Sequence, residues 1–470
     1  MQKNSFAGKF LDDCVEAVKS IAVTENSLNP NPATSQKKAE TILWIRSHWL
    51  KFFLLSLLAV ISLAVAWKNA ANNEGKDFYQ FWVVGQCLDR PDIHIYSPDA
   101  RNHVGAEFLL KAQQSGNTNL IAVANYRGWL QTYSTPFLYA SFRFFSTGNY
   151  DTDLRNYRLL MLAALAVGIF IFFRLLKQPW TLAVLTFAVL LVWFDPLASD
   201  LYVGNVNSLQ FGALAIYLWI VTRMRWQFRD VVGGAILGLT LVFKPNLIFV
   251  AIALAACWIV RGNFRRLWFQ AVGGIVGGVL AIFFSAVSFH NFRCWREWFS
   301  SLHTLSADNI IAVSNGNFSP VQIVYERFHL NIALPLAIVL TALVVWSLWK
   351  RRKDSQLSAN EPADMPPEIF AVAIGCLLTA VASRLTWFHY YTLTIPAFIF
   401  LLPAATVRKP SPGFILKQIP FVLALAALTP IPALAVALDT NGQAVLAASA
   451  GLLLFFAAIF LSGSQQAKKN

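Results

Sequence analysis

The sequence predicts an all-α polytopic membrane protein with roughly 10–12 hydrophobic helices, including a broken helical hairpin, and a large first outer loop carrying interfacial helices. Of its 470 residues, 56% are hydrophobic and only 13% are charged, a balance that is not typical of a water-soluble domain. Apolar runs of near-membrane length recur along the chain. The basic residues, which give a net charge of +14, fall mostly between these runs, which indicates membrane topology and not a nucleic-acid interface.

The first element is a polar N-terminal segment. Residues 1–47 contain the loop-like run SLNPNPATSQKK and are predicted to form a flexible cytoplasmic tail. The segment lacks the early apolar core and the cleavage site of a signal peptide, so residues 50–67 are expected to remain as a membrane anchor. We therefore expect this tail, a transmembrane domain at 48–462, and a second cytoplasmic tail at 463–470.

A long amphiphilic stretch at 68–155 follows the anchor and is predicted to be the large outer loop, because no run in it crosses a bilayer cleanly. Within it, WLQTYSTPFLYASFRFF is aromatic but too polar to span, which favours a helix lying at the interface. Ten later apolar runs predict the other membrane segments, at 157–173, 180–194, 208–221, 231–260, 267–289, 332–349, 369–383, 389–405, 419–438 and 444–461.

The positions of the basic residues predict which helix ends share a side. One arrangement makes cytoplasmic all the basic residues within 37–51, 174–177, 223–229, 261–266, 350–353, 408–417 and 468–469. It requires residues 231–260 to enter and leave on the same side as two half-helices. We expect the break at Lys244 and Pro245, because proline removes a backbone donor and disfavours helix in the preceding residue. Most of the unexplained polar residues then gather on the opposite side.

Asp77, in the run GKDFYQFW, is the first candidate for chemistry. It lies soon after the anchor and is therefore held near the membrane surface. Its aromatic neighbours could partly desolvate the carboxylate, and burial raises a carboxyl pKa towards the range of a general base. A helix cap or a surface acid is the simpler explanation of the same residue.

Lys244 is the second candidate, because mostly apolar sequence flanks it on both sides and an unpaired ammonium inside a membrane is costly. A phosphate group is one natural partner, and the end of a half-helix helps to hold an anion. The alternative is a lysine that extends to the membrane surface or pairs with an acid such as Asp195.

The run RLTWFHYY supplies a third group, at the end of a predicted helix. Arg384 could bind phosphate, His389 could donate to a hydroxyl or an anion, and Trp387 could stack on a sugar ring. The alternative is that these residues belong to a belt of aromatic side chains at the membrane interface. Neutral amides suited to hydroxyl groups are predicted on the same side, at Asn205, Asn207, Asn315 and Asn317.

The sequence also excludes several kinds of site. Five scattered cysteines show no CxxC spacing and indicate no metal site, while a bridge between Cys87 and Cys294 would require an oxidising compartment. No P-loop, dinucleotide-binding glycine pattern or HExxH run occurs in a supporting context, so we expect no nucleotide fuel and no cofactor.

The order of DFYQFW, GNVNSLQFGAL, LTLVFKPNLIF, GNFSPVQ and TWFHYY resembles glycosyltransferase family 87, the polyprenol-phosphate-sugar-dependent transferases of the GT-C class. The resemblance runs over residues 50–403. It implies a GT-C-like fold, Asp77 as the catalytic base, Lys244 in the broken helix, and Trp387 with His389 as the late pair. Family members often carry glutamine where this chain has Asn205 and Phe318, which leaves mannose, another hexose or arabinofuranose open as the sugar.

The resemblance implies inverting transfer from a polyprenyl phosphate sugar to a hydroxyl of a glycan or glycolipid acceptor, without a metal ion. Lys244, Arg384 and His389 would bind the donor phosphate; Trp387, Asn205, Asn207 and Asn317 would bind the sugar or the acceptor. The expected location is the plasma membrane of a bacterium, with the site on the non-cytoplasmic side and no nucleic-acid partner. A lipid or glycan transporter, and a noncatalytic membrane scaffold, remain as alternatives.

Overall fold

The computed structural model describes residues 32–90, 93–128, 130–307, 311–357, 366–405, 412–428 and 440–461. These residues are mostly α-helical, and the β-structure recorded among them is one isolated bridge. The chain divides into two compact units, 1–61 and 62–470, and the candidate site lies within the second. The first described helix, α1 at Pro32–Ala71, begins inside the segment predicted as a tail.

The predicted outer loop is itself helical. It contains α2 (Lys76–Cys87), α3 (Pro98–Ser115), α4 (Thr118–Tyr126) and α5 (Pro136–Phe142). The last of these lies in the aromatic run predicted as interfacial. Five of its seven residues are buried, so this helix packs against protein.

Fourteen described helices follow the loop, and most of them overlap a predicted hydrophobic run, although 429–438 of the run at 419–438 lies outside the described residues. These are α6 (Tyr150–Leu175), α7 (Trp180–Trp193), α8 (Asp195–Val203), α9 (Asn207–Arg223), α10 (Arg229–Phe243), α11 (Ile248–Val260), α12 (Phe264–Ser288), α13 (Arg293–Ala307), α14 (Pro320–Phe328), α15 (Ala333–Leu357), α16 (Pro367–Ala382), α17 (Ile395–Ala405), α18 (Pro412–Ala427) and α19 (Thr440–Leu461).

Five described helices are long and apolar enough to cross a membrane, which confirms the predicted all-α polytopic membrane class. They are Trp49–Ala71 within α1, α6, α12, Ala333–Lys353 within α15, and Thr440–Phe460 within α19. The pair α7 and α8 is a sixth candidate, bent by 69°. Other predicted runs form shorter helices. The run at 231–260, for example, is divided where Pro245 follows the end of α10.

The predicted broken hairpin is present between α10 and α11. Helices α10 and α12 lie in close contact, since a Cβ added to Gly273 would lie 2.0 Å from the Val231 carbonyl oxygen, and one added to Gly277 would lie 2.1 Å from that of Ala235. Along this contact, later residues of α10 lie against later residues of α12, so the two helices run parallel. Helix α11 must therefore return the chain to the end at which α10 began.

Hydrogen bonds join the start of α10 to the start of α12. Arg266, in the first turn of α12, donates from Nε to Asp230 Oδ1 at 3.0 Å, and Asp230 lies at the start of α10. Arg266 also bonds the Val221 carbonyl near the end of α9 and the Glu368 carboxylate at the start of α16. Arg352 bonds the carbonyl of Val260 at the end of α11. Several predicted basic segments thus meet at one end of the bundle, which we call the basic end.

The outer loop is anchored to the bundle by aromatic packing. Phe78 of α2 stacks on Tyr157 of α6 at a centroid distance of 5.2 Å, and Phe142 of α5 lies 5.0 Å from the same ring. All three side chains are buried. This cluster fixes the first turn of α2, and with it Asp77, against the membrane helices.

Cys87 and Cys294 are free, buried thiols. They line one small cavity beside α2 and α13. Burial raises the pKa of each thiol to about 11, so both are protonated at neutral pH.

Candidate active site

Asp77 is positioned by a glycine turn. Gly75, with φ of 72°, precedes α2 in the left-handed region, which glycine adopts without steric cost. The Tyr150 hydroxyl donates to the carbonyl of Gly75 at 3.2 Å and fixes this turn to α6. Asp77 then lies in the first turn of α2, where the positive end of the helix favours a carboxylate.

The Asp77 carboxylate is largely buried and bonded on both oxygens. Arg127 donates from Nη2 to Oδ1 at 3.0 Å, and Asn205 donates from Nδ2 to Oδ2 at 2.6 Å. The side chain is 16% exposed. These contacts replace the helix-cap and surface-acid interpretations with a carboxylate held between the outer loop and the membrane helices.

Asn205 reaches Asp77 because of a second close glycine contact. Gly204, with φ of 67°, ends α8, and a Cβ at this position would lie 2.7 Å from the Cβ of Phe78. The turn between α8 and α9 therefore touches α2. The Asn205 carbonyl accepts a hydrogen bond from the Tyr157 hydroxyl at 2.8 Å, which fixes the residue further.

Lys244 lies at the break between α10 and α11, in extended conformation with φ of −151°. Its Nζ donates to Asn205 Oδ1 at 2.8 Å and lies 4.1 Å from the centroid of the Tyr390 ring. Asn205 thus joins the carboxylate and the ammonium through the two ends of one amide. The side chain of Lys244 contacts Asn205 and Tyr390. The backbone amide of Asp195, the acid considered from the sequence, donates to the Leu428 carbonyl.

The carbonyls released by the break have partners among neighbouring helices. Thr135 Oγ1 donates to the Phe243 carbonyl at 2.9 Å, and Thr379 Oγ1 donates to that of Asn246 at 2.9 Å. Gln210 binds the Asn246 side chain, donating from Nε2 to Oδ1 at 2.9 Å. Such partners are what a broken helix needs within a membrane protein.

His389 also lies at this site, in the 3-10 helix Phe388–Thr394. Its Nε2 is 3.6 Å from Asp77 Oδ2, beyond hydrogen-bonding distance, and has no hydrogen-bond partner among the described residues. The side chain is 8% exposed, and its ring is nearly parallel to the Trp387 ring, with centroids 6.4 Å apart. Asn207 Nδ2 bonds the His389 carbonyl at 3.1 Å.

The remaining predicted residues lie beside this group. Asn317 forms an isolated bridge with Trp387, accepts a bond from the Thr386 backbone amide at 3.0 Å, and donates to the Arg384 carbonyl at 3.1 Å. The guanidinium of Arg384 lies 5.4 Å from the centroid of the Tyr325 ring. The recorded contacts of Arg384 are with Asn317 and Tyr325 and do not include Lys244 or His389.

Arg127, the ion-pair partner of Asp77, was not among the residues predicted from the sequence. This residue ends α4 in the outer loop, and its guanidinium also bonds Gln131 and the Lys76 carbonyl. A single arginine in an amphiphilic loop carries no signal of its own. Within the described residues, no group of three or more His, Cys, Asp or Glu side chains could hold a metal ion.

In this helical membrane protein, a buried carboxylate, an amide, an ammonium and an imidazole meet at a broken helix. Such an arrangement defines a membrane protein with a polar site for reaction or transport. The family comparison narrows this class. The model of glycosyltransferase family 87 matches residues 132–362, so this segment of the chain is similar to that family of membrane glycosyltransferases.

The matched segment includes Asn205, Lys244 and Asn317, whereas Asp77 and His389 lie outside it. Comparison with curated proteins and with solved structures finds no match.

Proposed function

We propose that the protein transfers a sugar from a polyprenyl phosphate sugar to an acceptor hydroxyl, and that Asp77, Asn205 and Lys244 form the centre of the site. One observation carries this proposal. A carboxylate and an ammonium, which come from distant parts of the chain, are joined through the two ends of the Asn205 amide. Base and cation are thus adjacent but separate, as displacement of a phosphate leaving group requires.

In the proposed reaction, the acceptor hydroxyl gives its proton to Asp77 while its oxygen bonds the anomeric carbon. The bond between that carbon and the phosphate oxygen breaks, and the lipid phosphate leaves with the electron pair. Lys244 stabilises the charge that develops on this leaving group. Displacement from the opposite face inverts the anomeric configuration.

His389 and the amides supply contacts for the sugar or the acceptor. The unpartnered Nε2 of His389 lies near the same carboxylate oxygen that Asn205 binds, so a hydroxyl entering there would satisfy it. Trp387, parallel to this imidazole, provides an aromatic surface for a sugar ring. Asn207 and Asn317 hold the backbone around His389 and Trp387, and Arg384 lies at the edge of this group.

The basic end supports a sidedness for the proposed site. Cations collect on the cytoplasmic side of membrane proteins, so the Asp77 end would face the opposite side. We accordingly propose a plasma-membrane enzyme of a bacterial cell envelope that uses mannose, another hexose or arabinofuranose and acts on a glycan or glycolipid. Donors of this kind arrive within the lipid, which fits a cation at a break in a membrane helix.

The test is transfer by the purified protein from a polyprenyl phosphate sugar. We expect Asp77→Asn to lower turnover about 10²–10⁴-fold, because an amide keeps the shape but cannot take the proton. Asp89→Asn, at an exposed acid of the same outer loop, is the matched control and should retain full turnover. Near-normal transfer by a folded Asp77→Asn protein would remove the assignment of Asp77 as base.

A further inference from the structure

A cavity lined by basic residues lies at the basic end, remote from Asp77. It has a volume of about 650 Å³ and is lined by Arg174, Lys177, Gln178, Pro179, Trp219 and Arg223. These residues come from the end of α6, the turn into α7 and the last part of α9. Two helix ends and the turn between two helices thus form a cleft at one edge of the bundle.

The lining of this cavity carries three cations, and no acidic residue is among the described residues that line it. The recorded bonds of Arg223 run from Nη2 to the carbonyls of Arg174 and Leu175, at 3.4 and 3.5 Å. A guanidinium has five N–H donors, so these two long bonds leave donors for an anion. The cavity therefore has the charge to bind a phosphate group.

Trp219 gives the cavity an apolar side. It is half-buried and packs against the hydrophobic core, so the cationic cleft continues into apolar surface. An indole beside basic side chains is typical of the boundary between hydrocarbon and water. A free inorganic anion would contact the basic side chains alone. A phospholipid would contact the basic side chains with its phosphate and Trp219 with its acyl chains.

The cavity is separated from the proposed active site by nearly the thickness of a membrane. Helix α9 begins at Asn207, which bonds the His389 carbonyl, and ends at Arg223, which lines the cavity. Its 17 residues rise about 25 Å, close to the roughly 30 Å of a bilayer's hydrocarbon. A molecule in this cavity is consequently distinct from the donor and the acceptor at Asp77.

We propose that this cavity binds the headgroup of an anionic phospholipid, with the phosphate held by Arg174, Lys177 and Arg223 and the start of the acyl chains against Trp219. Basic pockets between membrane helices bind acidic headgroups in this way. The site would tie the ends of α6 and α9 to one leaflet, independently of the transfer reaction.

The experiment compares phosphatidylglycerol and phosphatidylcholine with identical acyl chains, binding to the purified full chain in detergent, by native mass spectrometry. We expect phosphatidylglycerol to bind more tightly. The triple variant Arg174→Gln, Lys177→Gln, Arg223→Gln should lose this preference, at roughly fivefold per neutralised cation. Loss of Arg223 could disturb the helix ends, so Lys177→Gln alone, at an exposed turn residue, should show the single fivefold step with unchanged folding.

The charge-matched control is Arg261→Gln, Arg265→Gln, Lys350→Gln, which neutralises three exposed cations outside the cavity lining. Retained lipid preference in this control supports the proposal, and an equal loss in both triple variants overturns it by showing diffuse attraction. Addition of inorganic phosphate at concentrations equal to the lipid should leave phosphatidylglycerol bound. Displacement by phosphate under these conditions overturns the lipid assignment in favour of an ion site.

Discussion

Both ends of the helical bundle hold cations, but they bind different partners. At the Asp77 end, Arg127 and Lys244 bond side chains that come from other parts of the chain. At the basic end, Arg223 and Arg352 bond carbonyls at the ends of neighbouring helices. Cations at helix ends are explained by unsatisfied carbonyls and by membrane sidedness. Cations bonded to a buried acid and amide need another explanation, and the phosphate of the proposed donor supplies one.

Neutralising one cation at each end tests this difference most strongly. We expect Lys244→Gln to lower the turnover of a polyprenyl phosphate sugar about 10²–10³-fold, because it removes the charge beside the leaving phosphate. Lys350→Gln, at the basic end, should leave turnover unchanged. The measurement is kcat with saturating donor in proteins of equal folded yield. Equal effects of both substitutions, or none from Lys244→Gln, would mean that the two ends do not differ as described.

The next largest effect is expected from a substitution in the packing of α10 on α12, which lies between the two ends. A Cβ at Gly273 would meet the Val231 carbonyl oxygen at 2.0 Å, and backbone cannot rotate away. We expect Gly273→Ala to destabilise the fold by about 1–3 kcal/mol, as overpacking does.

Gly274→Ala is the control for this substitution, because the nearest atom to its added Cβ would be the Gly234 carbonyl oxygen at 3.7 Å. Thermal unfolding in detergent should show a lower Tm for Gly273→Ala and little change for Gly274→Ala. A similar Tm for both variants would contradict the close parallel packing.

The smallest effect is expected in the outer loop, at an ion pair outside the candidate site. Hydrogen bonds from Lys111 and Arg90 lower the pKa of Glu107 below its ordinary value of 4.5. The ionised form is thus favoured by folding, so its stabilisation is present above pH 4.5 and is lost as the pH falls through the lower folded-state pKa.

We expect Glu107→Gln to cost about 0.2–1 kcal/mol at neutral pH, the range of partly exposed pairs. The difference in Tm from the wild type should shrink as the pH is lowered below 4.5. A difference that stays constant across this range would show that packing, and not charge, is responsible.

The sequence predicted most of the helices because lipid imposes a simple rule of length and hydrophobicity on them. The break at Lys244 was also predictable, since Pro245 has a local effect on the backbone. Arg127 was not, because its pairing with Asp77 depends on how a helical loop folds back over the membrane helices. The role of Asn205 as a bridge likewise depends on the contact of Gly204 with Phe78, which no local pattern reveals.

The length of α10 determines how deep in the bilayer the proposed chemistry takes place. Its 15 residues rise about 22 Å, less than the roughly 30 Å of hydrocarbon that a full crossing requires. If α10 starts at one membrane surface, Lys244 lies several ångströms beneath the other. In the proposed reaction, the acceptor hydroxyl would descend to that depth, which favours the thin terminal unit of a glycan over a branched interior unit. A thicker bilayer would deepen this descent.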